Sequence, residues 1–231
     1  MVRNYSEFIA ELSKAGFSGA VFGKDDGVFS LFQYGWGAEE ENELSWFSSD
    51  PEHDPWEWRM RVLEERNDIS FSKVFFRKAG YITKEWYPYF LAVRRKGLSF
   101  QEAYEDGLYS HYAKRIYETL RKGGPLPVDR IKLNGSFRRE DKSKFDRALT
   151  DLQMGLYITM CGRHRKLSKT GEEYGWASTM FCTAEEFWLP EVFEKAALIS
   201  VKEAEDAITG RILQLSANAN IKKIRKFIYG L

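Results

Sequence analysis

Apolar residues recur every three or four positions over 111–122 and again over 141–153, and this spacing predicts two amphipathic helices. A shorter helix is predicted between them over 126–133. Two segments rich in β-branched and aromatic residues follow, 156–161 and 174–182, and they predict a two-stranded ribbon. Three helices followed by a ribbon is the element order of a winged helix-turn-helix, whose third helix enters the major groove of DNA.

The predicted third helix has an apolar and a polar side. Its apolar side consists of Phe145, Ala148, Leu149 and Leu152. Its other side carries Lys142, Lys144, Arg147, Thr150, Asp151 and Gln153. Because lysine and arginine contact DNA phosphates and base edges, we take Lys142, Lys144 and Arg147 as candidate DNA-binding residues.

Two further segments concentrate positive charge. The connection between the ribbon strands, GRHRKLSKTGEE, has no acidic residue before Glu172, and its basic residues are Arg163, His164, Arg165, Lys166 and Lys169. Like charges repel one another, so their clustering indicates a polyanion whose phosphates they neutralise. The alternative is a solvated polar turn. The predicted C-terminal helix, IKKIRKFIYG, presents Lys222 and Lys223 to solvent, and both join the candidate DNA-binding residues.

Local start signals predict further helices and strands on both sides of this unit. Before it we expect a helix over 5–15, a hairpin around 24–27, β-type structure over 70–82 and a helix from about Trp86. Helix N-caps or capping boxes are predicted at Asp54, Ser99, Thr183, Ser200 and Asn220.

Composition narrows the class of protein without identifying a partner. The 231 residues are 43% hydrophobic and 30% charged, with a mean hydropathy of −0.48. There is no run of about 18 apolar residues, and the N-terminal segment is amphipathic and unlike a signal peptide, so we expect no membrane span and a cytoplasmic location. The formal net charge of +1 means that DNA binding must be inferred from local clusters.

Cysteine and histidine usage indicates neither a metal site nor a redox site. Two cysteines, Cys161 and Cys182, exclude a disulfide framework, and their position in the ribbon predicts small buried side chains. The histidines His53, His111 and His164 are far apart in sequence, and there is no glycine-rich phosphate-binding loop. We therefore expect no metal and no cofactor.

Carboxylates stand beside aromatic rings over 46–58, WFSSDPEHDPWEW. In a base-flipping enzyme, aromatic rings stack on the extruded base while a carboxylate positions water, which makes Asp50 and Asp54 candidate catalytic residues. The alternative is structural: Asp54 caps the helix that begins at Pro55, and the tryptophans pack in the core.

Three segments, DPWEWRMRVLEER, FFRKAGYITKEWYPYFLAVRR and GEEYGWASTMFCTAEEFW, make the chain resemble short bacterial proteins related to AlkZ. AlkZ is a DNA glycosylase of tandem winged-helix domains that unhooks alkylated bases and interstrand cross-links. The Gln-x-Gln or Gln-x-Asp motif of those enzymes has no counterpart here, where the glutamines stand singly at Gln33, Gln101, Gln153 and Gln214. The resemblance therefore implies the fold and a DNA partner, and it does not extend to the active site.

The sequence thus predicts a mainly helical α+β protein with a winged helix over 108–188. An aromatic-rich part precedes it over 1–107, for which a degenerate second winged helix is one arrangement, and helices over 189–231 pack on the rest. We expect a protein that binds duplex DNA, in DNA repair. Two alternatives are a glycosylase that releases alkylated bases and a winged helix that binds protein without catalysis. The oligomeric state is left open.

Overall fold

A computed structural model describes residues 2–20, 47, 50–167, 170–171 and 173–230. In these ranges the chain is α+β, with a six-stranded antiparallel sheet. The helices are α1 Tyr5–Ala15, α2 Pro55–Glu65, α3 Tyr87–Arg95, α4 Phe100–Glu105, α5 His111–Gly123, α6 Val128–Asn134, α7 Lys142–Met154, α8 Ala184–Phe187, α9 Pro190–Ala197, α10 Val201–Leu215 and α11 Ile221–Tyr229. The strands are β1 Phe17–Gly19, β2 Ile69–Phe75, β3 Lys78–Thr83, β4 Leu126–Pro127, β5 Ile158–Leu167 and β6 Glu173–Thr183. The hairpin predicted around 24–27 lies outside the described residues.

The strand order, β1-β3-β2-β5-β6-β4, is symmetric about its centre. In the N-terminal unit, the described residues of 5–83, the first strand pairs with the third, and the same holds in the C-terminal unit, the described residues of 111–183. The two units meet where Phe71 of β2 pairs with Met160 of β5. One continuous sheet therefore joins two similarly ordered units.

Three groups of buried side chains fill the space between the sheet and the helices. The core of the N-terminal unit includes Phe8, Leu12, Trp58, Phe71 and Tyr81. The core of the C-terminal unit includes Ile116, Ile131, Phe145, Ile158 and Phe181. The third group packs α3, α10 and α11 against the sheet and includes Phe75, Phe90, Ile208 and Phe227. Helices α3, α10 and α11, which follow the two units in the chain, therefore share one core and pack against the sheet.

Most predicted helix starts are confirmed, because capping depends only on neighbouring residues. Asp54 caps α2, and Asn220 caps α11 through two backbone N–H groups. Ser99 and Ser200 each form a complete capping box. The box predicted at Thr183 is wrong: α8 begins there, but the Thr183 side chain makes no capping hydrogen bond to it.

The helix predicted over 126–133 begins later than expected. Leu126 and Pro127 form strand β4, which pairs with Phe181 and Met180 at the edge of the sheet. Proline has no N–H to donate, so it fits an edge strand and then the position just before a helix. The helix itself, α6, begins at Val128.

The ribbon is longer than predicted. Arg163, His164, Arg165 and Lys166, which the sequence assigns to a loop, lie in β5, and the pairing continues to Leu167 opposite Glu173. The register shifts near Gly162 and again near Arg165, so bulges bend the ribbon along its length. The polar composition of this segment gives no local sign of a strand. The segment is a strand because β6 supplies its backbone hydrogen bonds.

Candidate nucleic-acid interface

The N-terminal half of α7 is its exposed half. Lys142, Lys144 and Arg147 all lie at the surface, and 81% of the Arg147 side chain is exposed. Lys142 Nζ lies 2.7 Å from a carboxylate oxygen of Asp146, and Lys144 Nζ lies 5.4 Å from the centre of the Tyr112 ring. The structure therefore leaves all three predicted cations exposed on the first half of this helix.

The C-terminal half of α7 is buried, which corrects the predicted polar side. Thr150 and Gln153 are both buried. The Gln153 side-chain oxygen accepts hydrogen bonds from Ser72 Oγ (2.9 Å) and from the backbone N–H of Lys73 (3.0 Å). Gln153 thus connects the two units across the sheet, because β2 of the N-terminal unit covers this end of the helix.

Asp151 is the remaining partly exposed residue of that half, and it holds two arginines. Its Oδ1 accepts a hydrogen bond from Arg77 Nη1 at 2.7 Å, and its Oδ2 lies 3.9 Å from Arg147 Nε. Arg77 comes from the connection between β2 and β3, so the N-terminal unit contributes a cation to the surface of α7. The sequence gives only a weak signal for Arg77, which stands among scattered cations that usually serve solubility.

The basic residues predicted between the ribbon strands, Arg163 to Lys169, form the predicted wing. The structure places them in different environments. Arg163 lies 2.8 Å from Glu57 and 2.8 Å from Glu64, so two acids of α2 bind it. Burial opposes its charge, but the hydrogen bond to Glu57 and the charge of Glu64 raise the pKa of Arg163. This arginine joins the ribbon to the N-terminal unit.

The other predicted ribbon cations lie farther along β5. His164 and Arg165 are exposed. Lys166 pairs through its backbone with Tyr174 of β6, whereas Lys169 lies outside the described residues.

The predicted C-terminal candidates lie in the first turn of α11. Lys222 is exposed and Lys223 is partly buried, and their backbone N–H groups both donate to Asn220 Oδ1. At the other end of α11, Phe227 stacks on Phe75 of β2 with ring centres 3.7 Å apart. The last turn of α11 therefore packs beside the β2–β3 hairpin.

The two candidate catalytic carboxylates differ in environment. Asp54 is 1% exposed, and its Oδ1 accepts hydrogen bonds from the backbone N–H groups of Trp56 (2.8 Å) and Phe47 (3.1 Å). Asp50 is exposed, and its Oδ2 lies 2.7 Å from His53 Nδ1; this hydrogen bond lowers the pKa of Asp50. The capping role expected for Asp54 in the structural alternative is confirmed.

The aromatic residues around these carboxylates divide between core and surface. Trp58 is fully buried in the core, as the structural alternative expects. Trp56 is 36% exposed and Phe47 is 71% exposed, and their ring centres lie 4.7 Å apart. The Arg59 guanidinium carbon lies 3.3 Å from the centre of the Trp56 ring, and burial lowers the pKa of Arg59. An exposed aromatic pair with a guanidinium therefore stands at the start of α2.

A membrane span and a metal centre are two further features considered for the residues that the structure describes. No helix there has the length and apolarity needed to cross a bilayer. Within the same ranges, no three His, Cys, Asp or Glu side chains are grouped to hold a metal ion. Cys182 is buried, as predicted, while Cys161 is only partly buried.

Neither the curated proteins nor the solved structures contain a match to this chain. A family model described as "AlkZ related" matches residues 2–229, which is nearly the whole chain. The chain belongs to the AlkZ-related family.

Proposed function

We propose that this protein binds duplex DNA through the exposed half of α7, as a winged-helix protein of DNA repair. The observation that carries the proposal is the surface formed by Lys142, Lys144 and Arg147 on the first half of α7. In helix-turn-helix proteins, the N-terminal part of the third helix contacts base edges. Membership of the AlkZ-related family supports a role in repair.

The order of elements supports the winged-helix assignment. The C-terminal unit has the order α5, β4, α6, α7, β5 and β6, and its first strand pairs with its last. The N-terminal unit repeats part of this order, with β1 paired to β3 and α2 preceding the hairpin. Tandem winged helices, as the resemblance to AlkZ implies, fit this symmetry.

The burial of α7 supports a docking geometry in which the helix enters the groove by its first half. Its second half is held against β2 through Gln153, so that half is covered by protein. Two acids, Asp146 and Asp151, reduce the positive charge of this surface. Asp146 pairs with Lys142, and Asp151 pairs with Arg77. The cations outnumber these acids, which favours a polyanionic partner.

The test is duplex binding by Lys144→Glu/Arg147→Glu, measured by fluorescence anisotropy over a salt series. We expect wild-type affinity to fall as salt rises, because binding displaces counterions from phosphates. The double variant should bind at least about tenfold more weakly and lower the slope of log Kd against log salt by about 2. The matched control, Lys195→Glu/Lys202→Glu, reverses two exposed lysines on α9 and α10.

Equal affinity for the double variant and the control would remove α7 from the interface. No wild-type binding at low salt would reject the DNA-binding proposal and favour the protein-interaction alternative. Both pairs are at the surface, so thermal unfolding of each variant should remain close to that of the wild type.

A second candidate function, release of alkylated bases, is favoured by the exposed Phe47–Trp56 pair in the same segment of the chain as Asp50. Aromatic rings at a surface stack on unpaired bases, and a carboxylate can position water. Under this candidate, Asp50→Asn abolishes base release from an alkylated duplex while leaving duplex binding unchanged. Asp206→Asn, which neutralises an exposed carboxylate on α10, is the matched control. A wild-type protein that releases no base contradicts the candidate.

A further inference from the structure

We propose that the connection between β2 and β3 is a second DNA-contacting element, in which Arg77 acts together with Arg147 to hold one backbone phosphate. The inference rests on the proposed DNA binding and adds a contact from the N-terminal unit to it. Arg77 of this turn donates a hydrogen bond to Asp151 of α7, and the Phe76 ring contacts the Phe227 ring of α11. The turn therefore lies between these two helices.

The backbone of this turn is unusual for its sequence. Phe75 pairs with Lys78, so Phe76 and Arg77 form a two-residue hairpin connection. Both have positive φ values, 50° and 60°, which is the signature of a type I′ turn. Such turns strongly favour asparagine, aspartate and glycine, because a Cβ atom makes this region of backbone space unfavourable. Two large side chains therefore occupy positions where small residues would be more stable.

Packing accounts for one of these two side chains. The Phe76 ring lies 6.0 Å from the Phe227 ring, next to the stacked Phe75–Phe227 pair. Arg77 instead points to the surface, where half of its side chain is exposed and pairs with Asp151. Exposed ion pairs add little to stability, so this pair does not explain why an arginine stands at a left-handed position. Strained residues of this kind are concentrated at functional sites.

The geometry of the ion pairs explains what the arginine does. Asp151 accepts a hydrogen bond from Arg77 with one oxygen, and its other oxygen lies 3.9 Å from Arg147 Nε, so one carboxylate lies beside two guanidinium groups. The cluster carries a net positive charge, and each guanidinium keeps further N–H donors. Arginine presents these donors in a planar fork that matches phosphate oxygens. The cluster adjoins the exposed half of α7, where a bound duplex would place its backbone.

The test is Arg77→Gly, which removes the cation and relieves the backbone at the same position. We expect a melting temperature equal to or above that of the wild type, with duplex Kd raised about three- to tenfold and the salt slope lowered by about 1. A purely structural role for Arg77 predicts the reverse, a lower melting temperature with unchanged Kd. Arg77→Asn, which also tolerates positive φ, provides a second variant should the glycine loosen the turn.

Lys96→Gly is the matched control, because Lys96 is another exposed cation with positive φ, 52°, at the end of α3. It loses the same charge and relieves the same type of conformation, and it should leave duplex affinity unchanged. Combining Arg77→Gly with Arg147→Ala should raise Kd by less than the product of the single effects, since both residues contact one phosphate.

The outcomes separate this inference from the proposed function. If Arg77→Gly binds duplex as tightly as Lys96→Gly does, while Lys144→Glu/Arg147→Glu loses binding, the turn is not a contact and α7 remains one. If the wild type binds no duplex at low salt, the proposed function fails and this inference fails with it.

Discussion

Arg94→Met is expected to lower the free energy of unfolding by about 1–3 kcal/mol, the cost of leaving hydrogen-bond acceptors without their donor. The Arg94 guanidinium donates to three backbone carbonyl groups: Met154 O at 2.9 Å, Phe227 O at 2.8 Å and Ile228 O at 2.8 Å. These carbonyls belong to the last turns of α7 and α11, where the helix dipoles place partial negative charge. One side chain thus joins two helix ends.

The expected loss comes from the hydrogen bonds of Arg94, because burial of its charge acts in the opposite direction. Burial lowers its pKa to about 9, so the guanidinium remains charged at neutral pH in both the folded and the unfolded protein. Because the folded pKa is the depressed one and still lies near 9, Arg94 contributes no pH dependence of stability between pH 6 and 8. Methionine fills much of the space but leaves three carbonyl acceptors without this donor.

Urea denaturation checks the prediction, with Arg225→Met as the matched control on the exposed side of α11. The control should change stability by less than about 0.5 kcal/mol. Arg94→Lys should fall between wild type and methionine, because an ammonium group keeps the charge but cannot match the planar fork to three carbonyls. A loss for Arg94→Met no larger than that of the control would contradict the role.

The parts of the fold that follow from local chemistry could be predicted from the sequence. The sequence predicts helix starts at Asp54, Ser99 and Ser200, and helices begin at these positions in the structure. The three exposed cations of α7 also follow from helical spacing alone. Such features need no knowledge of distant residues, because a cap and a periodic face lie within one or two turns of the chain.

The parts that depend on distant segments could not be predicted. Gln153 has the phase of a polar surface residue, but β2 of the other unit covers it. Arg163 belongs by sequence to a basic wing, yet Glu57 and Glu64, about a hundred residues earlier, bind it. Leu126 and Pro127 become a strand only because β6 supplies a partner. In the first two cases the other unit decides the outcome, and in the third a distant strand of the same unit does, so none of the three is visible in local patterns.

This distinction changes the candidate interface. With Arg163 committed to the joint between the units, the cations with the most direct geometric support are those of α7 and Arg77. The contribution of the wing then rests on residues farther along β5, such as His164 and Arg165, which are exposed. Charge reversal at Arg163 would place an acid beside two acids, so a loss of DNA binding in that variant would not separate a DNA contact from damage to the joint.

Phe227→Ala is expected to lower the free energy of unfolding by about 3–5 kcal/mol, because it removes a fully buried aromatic ring and leaves a cavity. The ring stacks on Phe75 at 3.7 Å with an 8° angle between planes, and it lies 5.7 Å from the Phe17 ring and 6.1 Å from the Phe90 ring. It therefore fixes α11 against β1, β2 and α3 at once.

The matched control for this change is Ile221→Ala, at a position of the same helix that is 64% exposed, and it should alter stability by less than about 0.5 kcal/mol. Urea denaturation measures both variants. Since the loosened last turn of α11 also carries two acceptors of Arg94, the losses of Phe227→Ala and Arg94→Met should be less than additive when combined. Full additivity would mean that α11 keeps its position without the Phe227 ring. The hydrogen bonds of Arg94 and the Phe75–Phe227 stack would then act independently.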